Sequence, residues 1–251
     1  MRTAILIAAL ALAACGGEAA PAADATEDAP AYAAPPVATH VELQDGQVVV
    51  AGRAGPGERV RLIEMDGAAH GVTADDRGLF AISLPGASPQ DRLFNLSVER
   101  AGQSVSSDGW LFSPGSAPQR ALMLRAGGAS LPVGPAPLLA VVDVDGGGGV
   151  AVSGVASADQ SVTVSLDGRP AAEARADSQG RWFAVLSAAT TPGPHRIAAV
   201  AGDQREDRMV DLTLVRSDGA ISAAPNDTGI RIAWALPGGG SQTTLLLLTE
   251  P

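Results

Sequence analysis

The chain has 251 residues, 27 acidic against 17 basic, for a net charge of −10, and every basic residue is arginine. Without lysine there is neither Schiff-base chemistry nor a phosphate-binding P-loop lysine. An acidic surface with no basic stripe also speaks against a nucleic-acid partner, whose phosphates it would repel. The single cysteine rules out an internal disulfide, so apolar burial must hold the fold together.

The first predicted element is an export signal. In MRTAILIAALALAACGG, one positive residue, Arg2, precedes an apolar run from Ala4 to Leu12, and small residues lead to Cys15. The run is too short to span a bilayer and has the layout of a signal peptide over residues 1–14. The four residues Leu12, Ala13, Ala14 and Cys15 resemble the lipobox of bacterial lipoproteins. That resemblance implies cleavage before Cys15, a diacylglycerol on its thiol and an acyl chain, such as palmitate, on its amine. The alternative is an ordinary secreted chain with an unpaired cysteine near its cleavage site. Several acyl chains would hold the protein to a membrane, each buried methylene contributing about 0.8 kcal/mol. Gly16 and Gly17 stand where lipoproteins retained in the inner membrane often carry Asp. The resemblance therefore implies lipid anchoring in the outer membrane, with the folded part facing the periplasm or displayed at the cell surface.

Residues 15–38 are Ala, Pro and acidic residues with almost nothing large to bury. Such a segment cannot offset its ordering entropy and reads as a disordered tether, in which Tyr32 is incidental. From His40 onward, short alternating runs are separated by Gly, Pro and Asp. Phe94, Leu96 and Val98 alternate with Asn95, Ser97 and Glu99. Val162, Val164 and Leu166 alternate with Thr163 and Ser165, and Val210, Leu212 and Leu214 repeat the pattern. This period of two predicts half-buried strands, and no helical stripe competes with it. The fold class is therefore all-β, in sandwich form.

The chain also repeats itself. VVVAGRAGPGERVRL (Val48 to Leu62) aligns without a gap on VAVSGVASADQSVTV (Val150 to Val164). Asp-Gly turns follow at Asp66-Gly67 and Asp167-Gly168, and then ADDRGLF (Ala74 to Phe80) matches ADSQGRW (Ala176 to Trp182). A second echo pairs PGSAPQRALML (Pro114 to Leu124) with PGGGSQTTLLL (Pro237 to Leu247), each read as a turn and a strand. The second copy carries a longer insertion around VRSDGAISAAPNDTG before its final hairpin. The order of these motifs resembles the bacterial Ig-like domains found in tandem in envelope and adhesion proteins. It implies two Ig-like β-sandwich units at 39–132 and 139–251, joined by a Pro- and Gly-rich linker at 133–138. Units of roughly a hundred residues can fold on their own cores.

Each candidate site has a structural reading beside the functional one. In the Asp-x-x-Gly-x-aromatic pattern, Asp75, Gly78 and Phe80 match Asp177, Gly180 and Trp182. Asp accepts backbone hydrogen bonds at the start of a turn, Gly takes the positive φ that ends it, and the aromatic re-enters the core. The pattern reads as a fold marker rather than a ligand site. Asp143 and Asp145, two apart before a glycine run, have the spacing of an oxygen-rich calcium loop, but no third acid follows to complete it. The three histidines, His40, His70 and His195, lack a partner at metal-ligand spacing and read as exposed polar residues, His70 in a turn. Trp182 reads as core. Trp110 and Trp234 are the candidate glycan contacts, because an exposed ring on a β face can stack a sugar; core or interdomain packing is the alternative.

No cofactor and no catalytic constellation is expected. The chain reads as a non-catalytic structural or protein-interaction module of the cell envelope, held to a membrane by lipid and meeting an envelope protein or glycan partner. The competing reading is a peptidoglycan- or envelope-glycan-binding module using Trp110 and Trp234. A metal-dependent hydrolase would need clustered His and carboxylates that the sequence does not display.

Overall fold

The computed structural model describes residues 34–84, 90–100, 102–187, 189–217 and 219–248. The signal peptide, the lipobox residues Leu12, Ala13 and Ala14, Cys15 and most of the tether lie outside them.

Nineteen strands and a single 3-10 turn, at Pro118–Arg120, make up the described secondary structure. The first half contains β1 (Val37–Gln44), β2 (Gln47–Arg53), β3 (Arg59–Glu64), β4 (Ala69–Thr73), β5 (Leu79–Leu84), β6 (Arg92–Arg100), β7 (Gln103–Ser113), β8 (Leu122–Leu124) and β9 (Leu131–Pro132). The second half contains β10 (Val141–Asp145), β11 (Val150–Val155), β12 (Ser161–Leu166), β13 (Arg169–Arg175), β14 (Arg181–Val185), β15 (Pro194–Ala201), β16 (Gln204–Asp211), β17 (Ile221–Asn226), β18 (Gly229–Ala235) and β19 (Ser241–Leu247).

The duplication survives in the strand order. One sheet of the first half runs β1-β2-β5, and the other begins β4-β3-β6-β7; the second half repeats these as β10-β11-β14 and β13-β12-β15-β16. Every pairing within these cores is antiparallel. Each half is thus a seven-stranded Ig-like sandwich, with its fourth strand beside the third rather than beside the fifth. The alternation read from sequence fills the two interiors. Val50, Phe80, Ile82, Phe94, Leu96 and Val98 pack in the first, and Val152, Val162, Val164, Trp182, Ile197 and Val210 in the second.

Beyond the shared seven strands the halves diverge. In the first, β8 and β9 extend the sheet past β7; in the second, β19, β18 and β17 extend the other sheet past β10. The echo between 114–124 and 237–247 is thus a turn and a strand in each copy, but the strands join at non-equivalent edges. Leu122-Met123-Leu124 of β8 and Leu245-Leu246-Leu247 of β19 are apolar on both faces, as a sheet covered on both sides requires. Leu122 and Leu124 turn away from the first core while Met123 turns into it; Leu246 turns away from the second core while Leu245 and Leu247 turn into it. The outward set meets in a third apolar layer, where Phe112, Leu122 and Leu124 pack against Val141, Ile230, Ile232, Trp234 and Leu246. Three apolar layers therefore run in series through the molecule.

Two segment boundaries move for the same reason. Strand β1 begins at Val37, inside the stretch read as tether, because Ala38 packs in the first core. Residues 133–138, read as a linker, are packed: Val133 belongs to the first core and Leu138 to the second, and Val133 N–H donates to Ala121 O at 2.9 Å.

Candidate functional site

The repeated turns have the geometry their residues demand. Asp75 Oδ1 accepts the N–H groups of Arg77 and Leu79, both at 2.8 Å, and Asp177 Oδ1 accepts those of Gln179 and Arg181 at 2.8 and 2.9 Å. Gly78 and Gly180 take φ of 76° and 81°, and a β-carbon on either would collide with the carbonyl of Ala54 or Ala156. The backbone N–H of Leu79 is the main cause of the depressed pKa of Asp75. For Asp177, burial pushes the pKa upward but the hydrogen bonds from Arg181 and Gln179 outweigh it, leaving a net depression. Trp182 then enters the core, and its Nε1–H donates to Leu138 O at 2.9 Å.

The same turn occurs a third time. Asp145 Oδ1 accepts Gly147 N–H at 2.7 Å and Gly149 N–H at 2.9 Å, and Gly148 has φ of 79°. The Asp-x-x-Gly spacing of 145–148 is that of 75–78, a signal present in the sequence. Asp145 is a turn carboxylate, and Asp143 lies elsewhere. The next-but-one residue along a strand occupies the same face, yet Asp145 ends β10 in solvent while Asp143 is only 3% exposed. Among the described residues no three His, Cys, Asp or Glu side chains are grouped to hold a metal ion. The two aspartates do not form a calcium loop.

Asp143 instead closes the junction between the two sandwiches. Its Oδ2 accepts Ser130 N–H at 2.6 Å. Its Oδ1 is 2.8 Å from Ser130 Oγ, 2.9 Å from Gln242 Nε2 and 2.5 Å from Thr244 Oγ1. Burial pushes its carboxyl above the ordinary carboxylate range, against the opposing pull of Thr244, Ser130 and Gln242. The network spreads from there: Ser153 Oγ–H donates to Ser130 O at 2.5 Å, and Trp234 Nε1–H donates to Thr244 Oγ1 at 3.2 Å. Residues 127–130 of the first half are thereby tied to β10, β11 and β19 of the second.

The tryptophans proposed for glycan stacking both belong to this junction. Trp234 is only 4% exposed, within the third apolar layer, so no ring face is open to a sugar. Trp110 is half-buried and packs against the same layer.

The histidines are each engaged by a carboxylate. His40 Nε2 is 3.2 Å from Glu42, and His70, which sits in β4 rather than in a turn, is 3.1 Å from a Glu64 carboxylate that Arg92 also holds. The hydrogen bond and charge of Arg92, with a smaller contribution from His70, depress the pKa of Glu64. His195 lies 3.5 Å from Thr191 Oγ1 and 2.8 Å from Asp167, which mimics a hydroxyl–imidazole–carboxylate triad. The proton count forbids that role. Nδ1 faces Asp167 Oδ2 and Nε2 faces Thr191 O at 2.9 Å, so both nitrogens donate and neither can accept a proton from Thr191. The Asp167 hydrogen bond accordingly raises the His195 pKa.

What the junction leaves open is a groove of about 450 Å³. All four sheets bring an edge strand to it: β1 through Val37 and Ala38, β9 through Leu131 and Pro132, β13 through Arg175, and β14 through Arg181 and Phe183. Arg125 reaches across from the first half. Its Nη2 lies 2.7 Å from Asp108, and its guanidinium stands over the Phe183 ring at 5.6 Å. Arg181 is held by Asp177 through Nε at 3.1 Å and Nη2 at 2.9 Å. Arg175 has only a 3.8 Å contact to Asp159, with both side chains largely exposed. A second hollow continues the groove past Arg53, Leu79 and Gln179. A mixed apolar and guanidinium lining of this volume suits a ligand that buries apolar atoms and carries a carboxylate. Sequence reasoning missed the site because its residues come from strands far apart in the chain.

No family model matches the chain, and neither does any curated protein. Among solved structures it is similar to the BSP domain of a biofilm-associated protein, at 14% identity and a TM-score of 0.27, covering 72% of this chain and 30% of that one. It is also similar to the central fibronectin-III array of a RIM-binding protein, at 15% identity and a TM-score of 0.27, covering 82% of this chain and 74% of that one. This chain thus spans less than a third of the length of the first. Superpositions at that level add nothing to the architecture, which rests on the protein's own sheets: an all-β chain of two tandem Ig-like sandwiches.

Proposed function

We propose that the protein is a non-catalytic interaction module of the bacterial envelope, anchored by lipid at Cys15 in the outer membrane, with its sandwiches facing the periplasm. The observation that carries the interaction role is the sealed junction. A third apolar layer and the Asp143 network hold two sandwiches in one body, and the groove they leave is lined from both halves. Two independently tumbling domains would not keep Arg125 and Phe183 facing each other. A fixed groove suits recognition, because a preformed site avoids the ordering cost of binding. The anchoring rests on the Leu12-Ala13-Ala14-Cys15 motif.

Replacing Cys15 with alanine is expected to move the protein from the membrane pellet to the soluble fraction of lysed cells. Continued sedimentation of Cys15→Ala with the outer membrane would contradict lipid anchoring. In intact cells, a cross-linker placed at the groove should trap a discrete protein partner. A uniform smear along sugar strands, or no adduct, would contradict the interaction role.

A further inference from the structure

The two halves are copies of one unit, so a residue in one has a counterpart in the other, and the exchanges between them are informative. The gapless repeat makes Leu62 the counterpart of Val164, and Leu62 stands opposite Leu96 as Val164 stands opposite Ala199. Counting back from Leu96 along β6 and from Ala199 along β15 puts His195 in the place of Arg92. The two residues have similar partners. Arg92 is held by Glu64 at the end of β3, and the His195 ring by Asp167 in the turn after β12. A guanidinium keeps its charge throughout the physiological pH range, and an imidazole does not.

The His195 ring makes a second contact that depends on its charge. Nδ1 lies 2.8 Å from Asp167 Oδ2 and Nε2 lies 2.9 Å from Thr191 O, so the ring fills both contacts only as the imidazolium. The side chain is 14% exposed, and Asp167 is fixed in turn by Arg196 N–H, which donates to its Oδ1 at 2.9 Å. A neutral ring has one N–H. The ionised Asp167 keeps it on Nδ1, because a charge-assisted bond is stronger than one to a neutral carbonyl. That leaves the Nε2 lone pair facing the Thr191 carbonyl oxygen, and two acceptors repel at such a distance. Thr191 belongs to the loop 189–193, whose Thr190 N–H donates to Gly148 O at 2.9 Å. The ring therefore joins the turn after β12 to a loop that is itself bonded to the turn between β10 and β11.

From this geometry we propose that His195 is a pH-operated catch. Charged, it clamps the loop 189–193 to the turn after β12; uncharged, it releases the Thr191 carbonyl, and this end of the second sandwich changes shape. Asp167 is the charged group that faces the ring. Arg169, at the start of β13, acts on Asp167, and β16 presents Val210 across the sheet. Nearby Arg196 is engaged by Asp207, and Asp211 by Arg231 and Thr213. The hydrogen bond to Asp167 raises the His195 pKa above its ordinary value, against the opposing effect of burial. The catch is therefore fully closed below the unfolded value of about 6.5 and opens as pH rises through the higher folded value. The first copy, with Arg92 in this place, has a clasp that stays shut. This inference goes beyond the reading of the protein as an interaction module and needs only the second sandwich.

The test is an NMR titration of the full chain that follows the His195 ring and the Thr191 carbonyl carbon from about pH 5 to about pH 9. The two signals are expected to move together, with one midpoint above about 6.5. His195→Arg restores the residue of the first copy and should leave the Thr191 signal flat over the whole range. Asp167→Asn should also leave it flat, by a different route. There the amide N–H faces Nδ1, the neutral ring carries its hydrogen on Nε2, and the bond to Thr191 survives deprotonation. A Thr191 signal that is flat in the native chain, or that moves with a midpoint different from the ring's, overturns the inference. So does a Thr191 signal that still titrates in either variant, because a group other than His195 would then be moving the loop.

Discussion

Replacement of Asp143 by alanine is expected to destabilise the protein by about 3–5 kcal/mol, measured by urea unfolding. The carboxylate is the shared acceptor for Ser130 N–H, Gln242 Nε2 and the hydroxyls of Ser130 and Thr244. The hydroxyls can rotate toward other acceptors, but the amide N–H of Ser130 and the Gln242 amide have fewer alternatives. Each buried donor left unpaired costs about 1–3 kcal/mol. The pH dependence carries a sign of its own. Because burial raises the folded-state pKa of Asp143, the folded chain holds its proton at pH values where the unfolded chain has lost it. Its contribution is therefore fully present below the unfolded value of about 3.9 and declines as pH rises through the raised folded value. The difference in stability between the native chain and Asp143→Ala should grow as pH is lowered from 8 toward 4. Glu64, Asp75, Asp167, Asp177, Asp207 and Asp211 have depressed pKa values and contribute in the opposite sense, but they cancel in this difference. A difference that shrinks on acidification would mean that the hydrogen bonds, not burial, set the Asp143 pKa.

Trp182→Ala is expected to cost a similar amount, about 3–5 kcal/mol, because it empties the largest fully buried side chain of the second core. The substitution also leaves Leu138 O without its indole donor, and Leu138 lies in the stretch between the halves. Gly154 is part of the same contact: a β-carbon there would lie 1.9 Å from Leu138 O, so no other residue lets the chain pass this close. Trp182→Phe separates the two contributions. It keeps most of the ring but not the N–H, and should cost about 1–3 kcal/mol. Because the third apolar layer joins the cores, the loss should lower the midpoint of the whole chain in one transition. A biphasic curve, with the first half melting at its native midpoint, would show that the halves are energetically independent.

Much of the fold was legible because it is written locally. Alternation at Phe94, Leu96 and Val98, or at Val162 and Val164, needs only a strand with one buried face, and the Asp75 and Asp177 turns need only side chain and backbone within five residues. The junction was not legible, for a physical reason. Runs such as Leu122-Met123-Leu124 and Leu245-Leu246-Leu247 say that both faces of a strand are covered, but not by what. Asp143 looked like half of a calcium loop because its neighbour in sequence is Asp145, whereas its actual partners, Ser130, Gln242 and Thr244, are 13, 99 and 101 residues away. Trp234 was ambiguous for the same cause: an apolar residue on the outer face of a sandwich is exposed unless a second body covers it. The groove depends on that second body too, since Arg125 and Phe183 meet only when the halves are docked.

The central claim is that the two sandwiches form one rigid body around this junction. Residual dipolar couplings of the backbone amides test it most directly. If the claim holds, couplings from residues 37–132 and 141–247 fit a single alignment tensor. Two tensors of different magnitude or direction would show that the halves reorient, and would contradict both the sealed junction and the fixed groove.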